Sequence, residues 1–282
     1  VCKRQIPRRR PPLMSIKVRN TTRYLLTEQL KMTGWSVLAC AVAFGILPLF
    51  FAFISDNISQ YSPLSNFANL SLSALFFMII FITGALTYDY FKLFIQSGIS
   101  RQTYFQARVF ALLMLSGLLV IINAIYYYGI HAPYLHWSTN TALMWTGYSL
   151  YSHALGNQVW LNILASLCFN WIFYIGVGLT GIACGTLLAL FGKWAKTILI
   201  IGTPIIGMLI IWIMVIIMTR NQSNYNYTGL ENFLKFIIGY PSRGEATTGY
   251  FNPTMPFITM LVGCGIIGGL AYLFNRKLRI RN

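Results

Sequence analysis

A chain of 282 residues in which 56% are hydrophobic, 16% aromatic and only 9% charged cannot cover itself with a water-facing surface, because a soluble domain carries about 25% charged residues. Its mean hydropathy of +0.62 and its recurring apolar runs of about twenty residues, enough to cross ~30 Å of hydrocarbon as a helix, predict an all-α polytopic membrane protein. A transmembrane barrel would show short alternating segments instead. The formal net charge of +16 calls for no nucleic acid, since basic ends beside an anionic lipid leaflet account for it.

The first segment, residues 1–14, is a basic leader. "VCKRQIPRRRPPL" precedes Met14, and "MSIKVRN" reads like an ordinary start. An expression-vector extension and an early start both fit the residues before Met14, and no function is drawn from them. Residues 15–34 place Val18, Leu25, Leu26 and Leu30 on a helical apolar pattern with basic residues between. That pattern predicts an amphipathic helix lying in the membrane interface. Residues 35–282 then form the transmembrane domain, in which six spans are expected. They run from about Ser36 to Ile54, Leu70 to Phe91, Val109 to Tyr128, within Val159–Phe191, Thr197 to Thr219 and Met255 to Phe274. The fourth run is longer than one crossing needs, so tilt, a kink or an interfacial lead-in must absorb the excess.

Lys and Arg near span ends set orientation. Eighteen lie on the side of the termini and of the second-to-third and fourth-to-fifth connections; only Arg220, Lys235 and Arg243 lie on the other. Both ends are therefore expected in the cytoplasm, in agreement with an even number of spans.

The remaining motifs point away from chemistry. Cys40, Cys168, Cys184 and Cys264 lie inside spans without paired spacing, which predicts burial as small apolar residues. "GVGLTG" and "GCGIIG" match a dinucleotide fingerprint but have no preceding strand. Close helix packing, of the fourth span on the sixth, through Gly181 with Gly185 and Gly265 with Gly269 is the better account. His131, His136 and His153 share the connection between spans three and four, but no acidic residue joins them to hold a metal. With Trp137, Trp145, Tyr148 and Tyr151 they read as an aromatic interfacial loop.

Of five acidic residues, only Asp89 approaches a span, beside Tyr88 and Tyr90. An ion-coupled carrier needs a carboxylate at mid-membrane, so that class is disfavoured. Asn123, Asn162 and Asn170 can either line a path or bond between helices. The sequence has no GxxxxGK[ST] and no HExxH, hence no P-loop, no cofactor and no catalytic centre are expected in this chain.

One island stands out, "KLFIQSGISRQTYFQAR", Lys92 to Arg108, short, basic and amphipathic between two apolar runs. Gly98 permits a turn, Ser100 can cap the helix that follows, and Arg101 can pair with acids on a partner. With the six-span topology and the half-apolar outer loop Gly229–Phe251, it resembles the permease subunits of the type-2 exporter family of ABC transporters. The resemblance implies a coupling helix that docks in a groove of a separate cytoplasmic ATPase. Ser97, Gly98, Ser100 and Arg101 carry the match, and Tyr104 and Phe105 are the expected docking side chains. It further implies a second permease, identical or a sister subunit, a location in the cell membrane of a bacterium, and a re-entrant outer loop. The alternative is a non-transporting membrane scaffold, immunity or sensor protein, which needs no ATPase.

Overall fold

The computed structural model describes residues 16–56, 62, 65, 70–86, 88–144, 146, 148–151, 155–156, 158–220, 228–240 and 251–278. Trp145, His153 and most of the outer loop's second half lie outside them, as does the side chain of Asp89. The described elements are helices. In chain order they are α1 (Ile16–Ile54), α2 (Leu72–Ala85), α3 (Tyr88–Gln96), α4 (Arg101–Tyr126), α5 (Ala132–Tyr134), α6 (Thr139–Met144), α7 (Val159–Leu190), α8 (Lys193–Arg220), α9 (Thr228–Ile238) and α10 (Thr254–Lys277).

Five helical stretches among the described residues are long and apolar enough to cross a membrane: Ile16–Ile54, Leu72–Gln96, Arg101–Tyr134, Val159–Leu190 and Thr254–Lys277. The fifth span expected from the sequence, Thr197 to Thr219, falls on α8 (Lys193–Arg220), within which Trp194–Leu209 is an apolar stretch.

The bundle is built around α7, which packs against α10 on one side and α2 on the other, with α4 closing the group. Phe76, Ile79 and Ile80 of α2, Leu112, Leu115 and Leu119 of α4, Leu179 and Ile182 of α7 and Ala271 of α10 form its core. At one end a second cluster gathers Val18 and Leu25 of α1, Phe91 and Phe94 of α3, Tyr104 and Ala107 of α4, and Leu278.

Three boundaries differ from the sequence expectation. The interfacial segment 15–34 and the first span form a single helix of 39 residues without a break at Gly34. At 1.5 Å per residue it is about 58 Å long, nearly twice a hydrocarbon core. Its N-terminal part is held by tertiary contact, since the Thr22 hydroxyl donates to the Val18 carbonyl at 2.9 Å and reaches the Ala107 carbonyl of α4 at 3.3 Å. The second expected span divides into α2 and α3 at Leu86, whose φ of −70° and ψ of 85° leave the helical region. The third begins at Arg101 and continues past Tyr126 through a π-helical turn, Tyr127–His131.

Glycine packing also departs from expectation. A Cβ on Gly84 of α2 would stand 2.6 Å from the Gly178 carbonyl oxygen and 3.3 Å from the Gly181 Cα. The small residues Gly178 and Gly181 of α7 thus admit α2, not α10, to backbone contact. Gly185 is buried on the same helix. Gly265 and Gly269 of α10 face open space; α10 meets α7 instead through Gly268 near Leu179 and Cys264 near Gly176. The thiols of Cys40, Cys168, Cys184 and Cys264 are free, and Cys168 is exposed on α7 rather than buried.

Candidate coupling turn and polar pocket

The turn between α3 and α4 is specified locally. Gly98 takes φ +79°, the left-handed conformation that closes a helix. The Ile99 amide donates to the Phe94 carbonyl at 3.0 Å and the Gly98 amide to the Ile95 carbonyl at 3.1 Å, the paired bonds of a Schellman ending. Two residues on, the Ser100 hydroxyl accepts from the Thr103 amide at 3.1 Å and caps α4. A helix stop and a helix start share the four residues Ser97–Ser100, which leaves the turn little freedom.

Tertiary contacts then clamp it. The Arg101 guanidinium donates to the Arg276 carbonyl at 3.0 Å, and the Asn275 amide donates to the Arg101 carbonyl at 3.1 Å. Asn275 and Leu278 are buried. The end of α10 therefore grips the start of α4 across more than 170 residues of chain.

Burial separates two groups that the sequence could not distinguish. Lys92, Gln96, Ser97, Gly98, Ser100, Arg101 and Gln102 are exposed. Tyr104 is 0% exposed, with ring centroids of Phe91 and Phe94 each 5.8 Å away. Phe105 is half-buried against Tyr272, ring centroids 5.3 Å apart. The two side chains expected to dock outward are thus turned inward. Rings four and five residues past the Ser100 cap can turn toward a neighbouring helix or toward a partner, and only the position of α3 and α10 decides which.

Arg108 differs in a similar way. Counted by sequence as a topological charge, it is 2% exposed inside the bundle. Its guanidinium donates to the Gly84 carbonyl, one of the last in α2, and lies 5.8 Å from the Tyr104 ring centroid. A cation at a helix C-terminus meets carbonyls with no helical partner and the negative end of the dipole. Arg108 therefore caps α2 where the chain breaks before α3.

About 33 Å along α4 from Arg101, polar groups gather. Two adjoining hollows of ≈110 and ≈220 Å³ share Ser73, Asn123 and Tyr127. Asn170 lines the smaller and His131 the larger. Among the described residues their lining is Ser, Asn, Tyr, Thr and His with apolar neighbours, which suits hydrogen bonding to a neutral group. Each lies below the ~300 Å³ at which ligand pockets begin. Asn162 stands apart from them. It is buried, and its amide donates to the Gly156 and Gln158 carbonyls at 2.9 and 3.2 Å. It fixes the loop before α7.

Among the described residues of the aromatic connection, several side chains hold the fold together. The Tyr126 hydroxyl donates to the Leu70 carbonyl at 3.0 Å and the Tyr127 hydroxyl to the Ala142 carbonyl at 2.8 Å. His131 stacks on Tyr127 and meets Trp137 edge-on. His136 takes φ 54° and ends α5, with the Trp137 amide donating to the Ala132 carbonyl at 3.0 Å. Among the described residues no three His, Cys, Asp or Glu side chains cluster to hold a metal.

Comparison of the chain with protein-family models, with curated proteins and with solved structures finds no match. Among the described residues the regular structure is all helical, with several helices of membrane-spanning length and composition.

Proposed function

We propose that this chain is the membrane-spanning permease subunit of an ATP-driven ABC exporter of the type-2 class. In this reading the chain crosses the membrane six times, with α8 as the fifth span and both termini in the cytoplasm. ATP is hydrolysed on a separate cytoplasmic subunit, and a second permease, identical or a sister subunit, completes the path. The observation that carries the proposal is the α3–α4 turn. A push is transmitted only through a rigid lever, and this turn is closed by a glycine ending, a serine cap and the α10 clamp while its tip stays exposed. A loop serving charge placement alone needs none of these.

The contact surface for the ATPase is the exposed tip, Gln96, Ser97, Arg101 and Gln102, with Tyr104 and Phe105 as its internal mounting. Arg in such contacts carries a large share of binding energy. The test is to purify the chain from its native membranes with its ATP-hydrolysing subunit. Arg101→Glu, with its midpoint lowered by about 2–4 °C through the lost bond to Arg276, and Gln102→Trp, with its midpoint unchanged within ~2 °C, should each release most of that subunit or uncouple hydrolysis from the permease. Full retention and full coupling in both variants would overturn the proposal in favour of a scaffold.

A further inference from the structure

A cavity of ≈740 Å³ opens between the N-terminal part of α1, the middle of α4 and Trp171 of α7. Its walls are apolar over about 12 Å of α4, from Phe110 past Met114 to Leu118. At Gly117 the Trp171 indole closes over the floor, its nitrogen 3.5 Å from where a Cβ would stand. Trp171 is a fixed wall, its N–H donating to the Ser116 hydroxyl at 3.0 Å. Charge sits on the α1 side alone. Arg19 and Arg23, one helical turn apart, both line the cavity and both are exposed. Neither takes part in a salt bridge among the described residues, where the pairs are Lys31 with Glu28 and Lys235 with Glu231.

An apolar trough edged by two exposed arginines fits an amphiphile with a negative head. Guanidinium groups match phosphate oxygens in a bidentate fashion, and among the described residues no carboxylate lines the cavity to receive a choline or ethanolamine ammonium. A helix from a second copy fits less well. The chain has five acidic residues in all, and Glu28 and Glu231 are already paired.

We infer that this groove binds one anionic glycerophospholipid, its phosphate on Arg19 and Arg23 and an acyl chain along Phe110, Met114 and Leu118 under Trp171. The lipid bridges α1, α4 and α7. The inference does not rest on the transport reading.

The experiment uses the purified full chain in a mild non-ionic detergent, titrated with dioleoylphosphatidylglycerol or dioleoylphosphatidylcholine. Lipid retention is followed by native mass spectrometry and stability by thermal unfolding. Wild type should retain one phosphatidylglycerol about tenfold more tightly than phosphatidylcholine, two basic side chains supplying the difference. Arg19→Gln with Arg23→Gln should erase the preference. Gly117→Leu or Leu118→Trp, which fill the trough, should lose the site for both lipids while melting at or above the lipid-free wild type. Equal retention of the two lipids by wild type, or a preference that survives the double Gln variant, overturns the inference. So does full competition by glycerol phosphate, which marks an anion site without an acyl trough, or a dimer that dissociates in the filled variants, which marks a protein interface.

Discussion

At Gly84 the chain has no room for a methyl group, and the obstacle is backbone, the Gly178 carbonyl, which cannot rotate away. Gly84→Val should therefore destabilise by more than the ~1–3 kcal/mol of ordinary overpacking, whereas Gly265→Val, facing open space, should stay within about half a kcal/mol. Thermal midpoints in detergent compare the two; equal midpoints would remove α2 from its place on α7. Tyr104 and Arg101 form a second contrast. Tyr104→Ala empties a fully buried site and should cost about 3–5 kcal/mol. Arg101→Ala removes an exposed bond to the Arg276 carbonyl and should cost about 1 kcal/mol in stability. A double Tyr104/Phe105 truncation thus reports on folding before it reports on any partner.

Among the elements, α10 is both a candidate span and a latch. Its last turn places Asn275 against the Arg101 carbonyl and Leu278 beside Tyr104. Asn275→Ala should loosen the α3–α4 turn specifically. The measurement is amide hydrogen exchange, faster at residues 97–103 with α7 unchanged; uniform acceleration would mean global destabilisation instead. At the opposite end of α4, α9 is a short amphipathic helix tied down by the Tyr151 hydroxyl, which donates to the Ile238 carbonyl at 2.8 Å. Gly239 at φ +76° turns the chain toward Asn252. On the exposed side of α9, Glu231 holds the Lys235 ammonium above its usual range.

Burial raises the Tyr148 and Tyr151 phenols above their ordinary value near 10. The sign follows: the neutral phenols support this cap in full below about pH 10, and the support is lost as pH rises through the raised folded values. Protease cleavage near α9 should increase only in alkaline buffer, and Tyr151→Phe should raise it at neutral pH. Cleavage independent of pH in both proteins would detach α9 from this tyrosine cap.

On the scale of the whole molecule, two elements carry apolar surface that the chain leaves uncovered. The distal half of α1 exposes Leu38, Ile46, Phe50 and Phe53, and α8 exposes Trp194, Ile198, Met208 and Trp212. A soluble protein does not tolerate such patches, but hydrocarbon solvates them without cost, which is why the membrane reading and these bare helices support each other. If the basic ends face the cytoplasm, residues at the two ends of α4 lie on opposite sides. In a background without native cysteines, Ser138→Cys should react with an impermeant maleimide added outside intact cells and Gln102→Cys should not. Outside labelling of Gln102→Cys would reverse the topology and remove the turn from any cytoplasmic ATPase.

Composition alone determined the membrane class, because nine charged residues in a hundred cannot clothe a soluble fold. Local chemistry determined the turn, since a left-handed glycine and a serine cap act within a few residues of themselves and are legible as letters. The inward rings of Tyr104 and Phe105, the cap that Arg108 places on Gly84, and the choice of α2 as the partner of Gly181 were decided only by tertiary structure. So were the α10 latch and the cationic groove beside α1. Each of these depends on which helices become neighbours. A contact between residues 24 or 174 positions apart leaves no periodicity in either segment, and in a chain where nearly every helix is apolar on all faces, hydrophobic pattern cannot say which face turns inward.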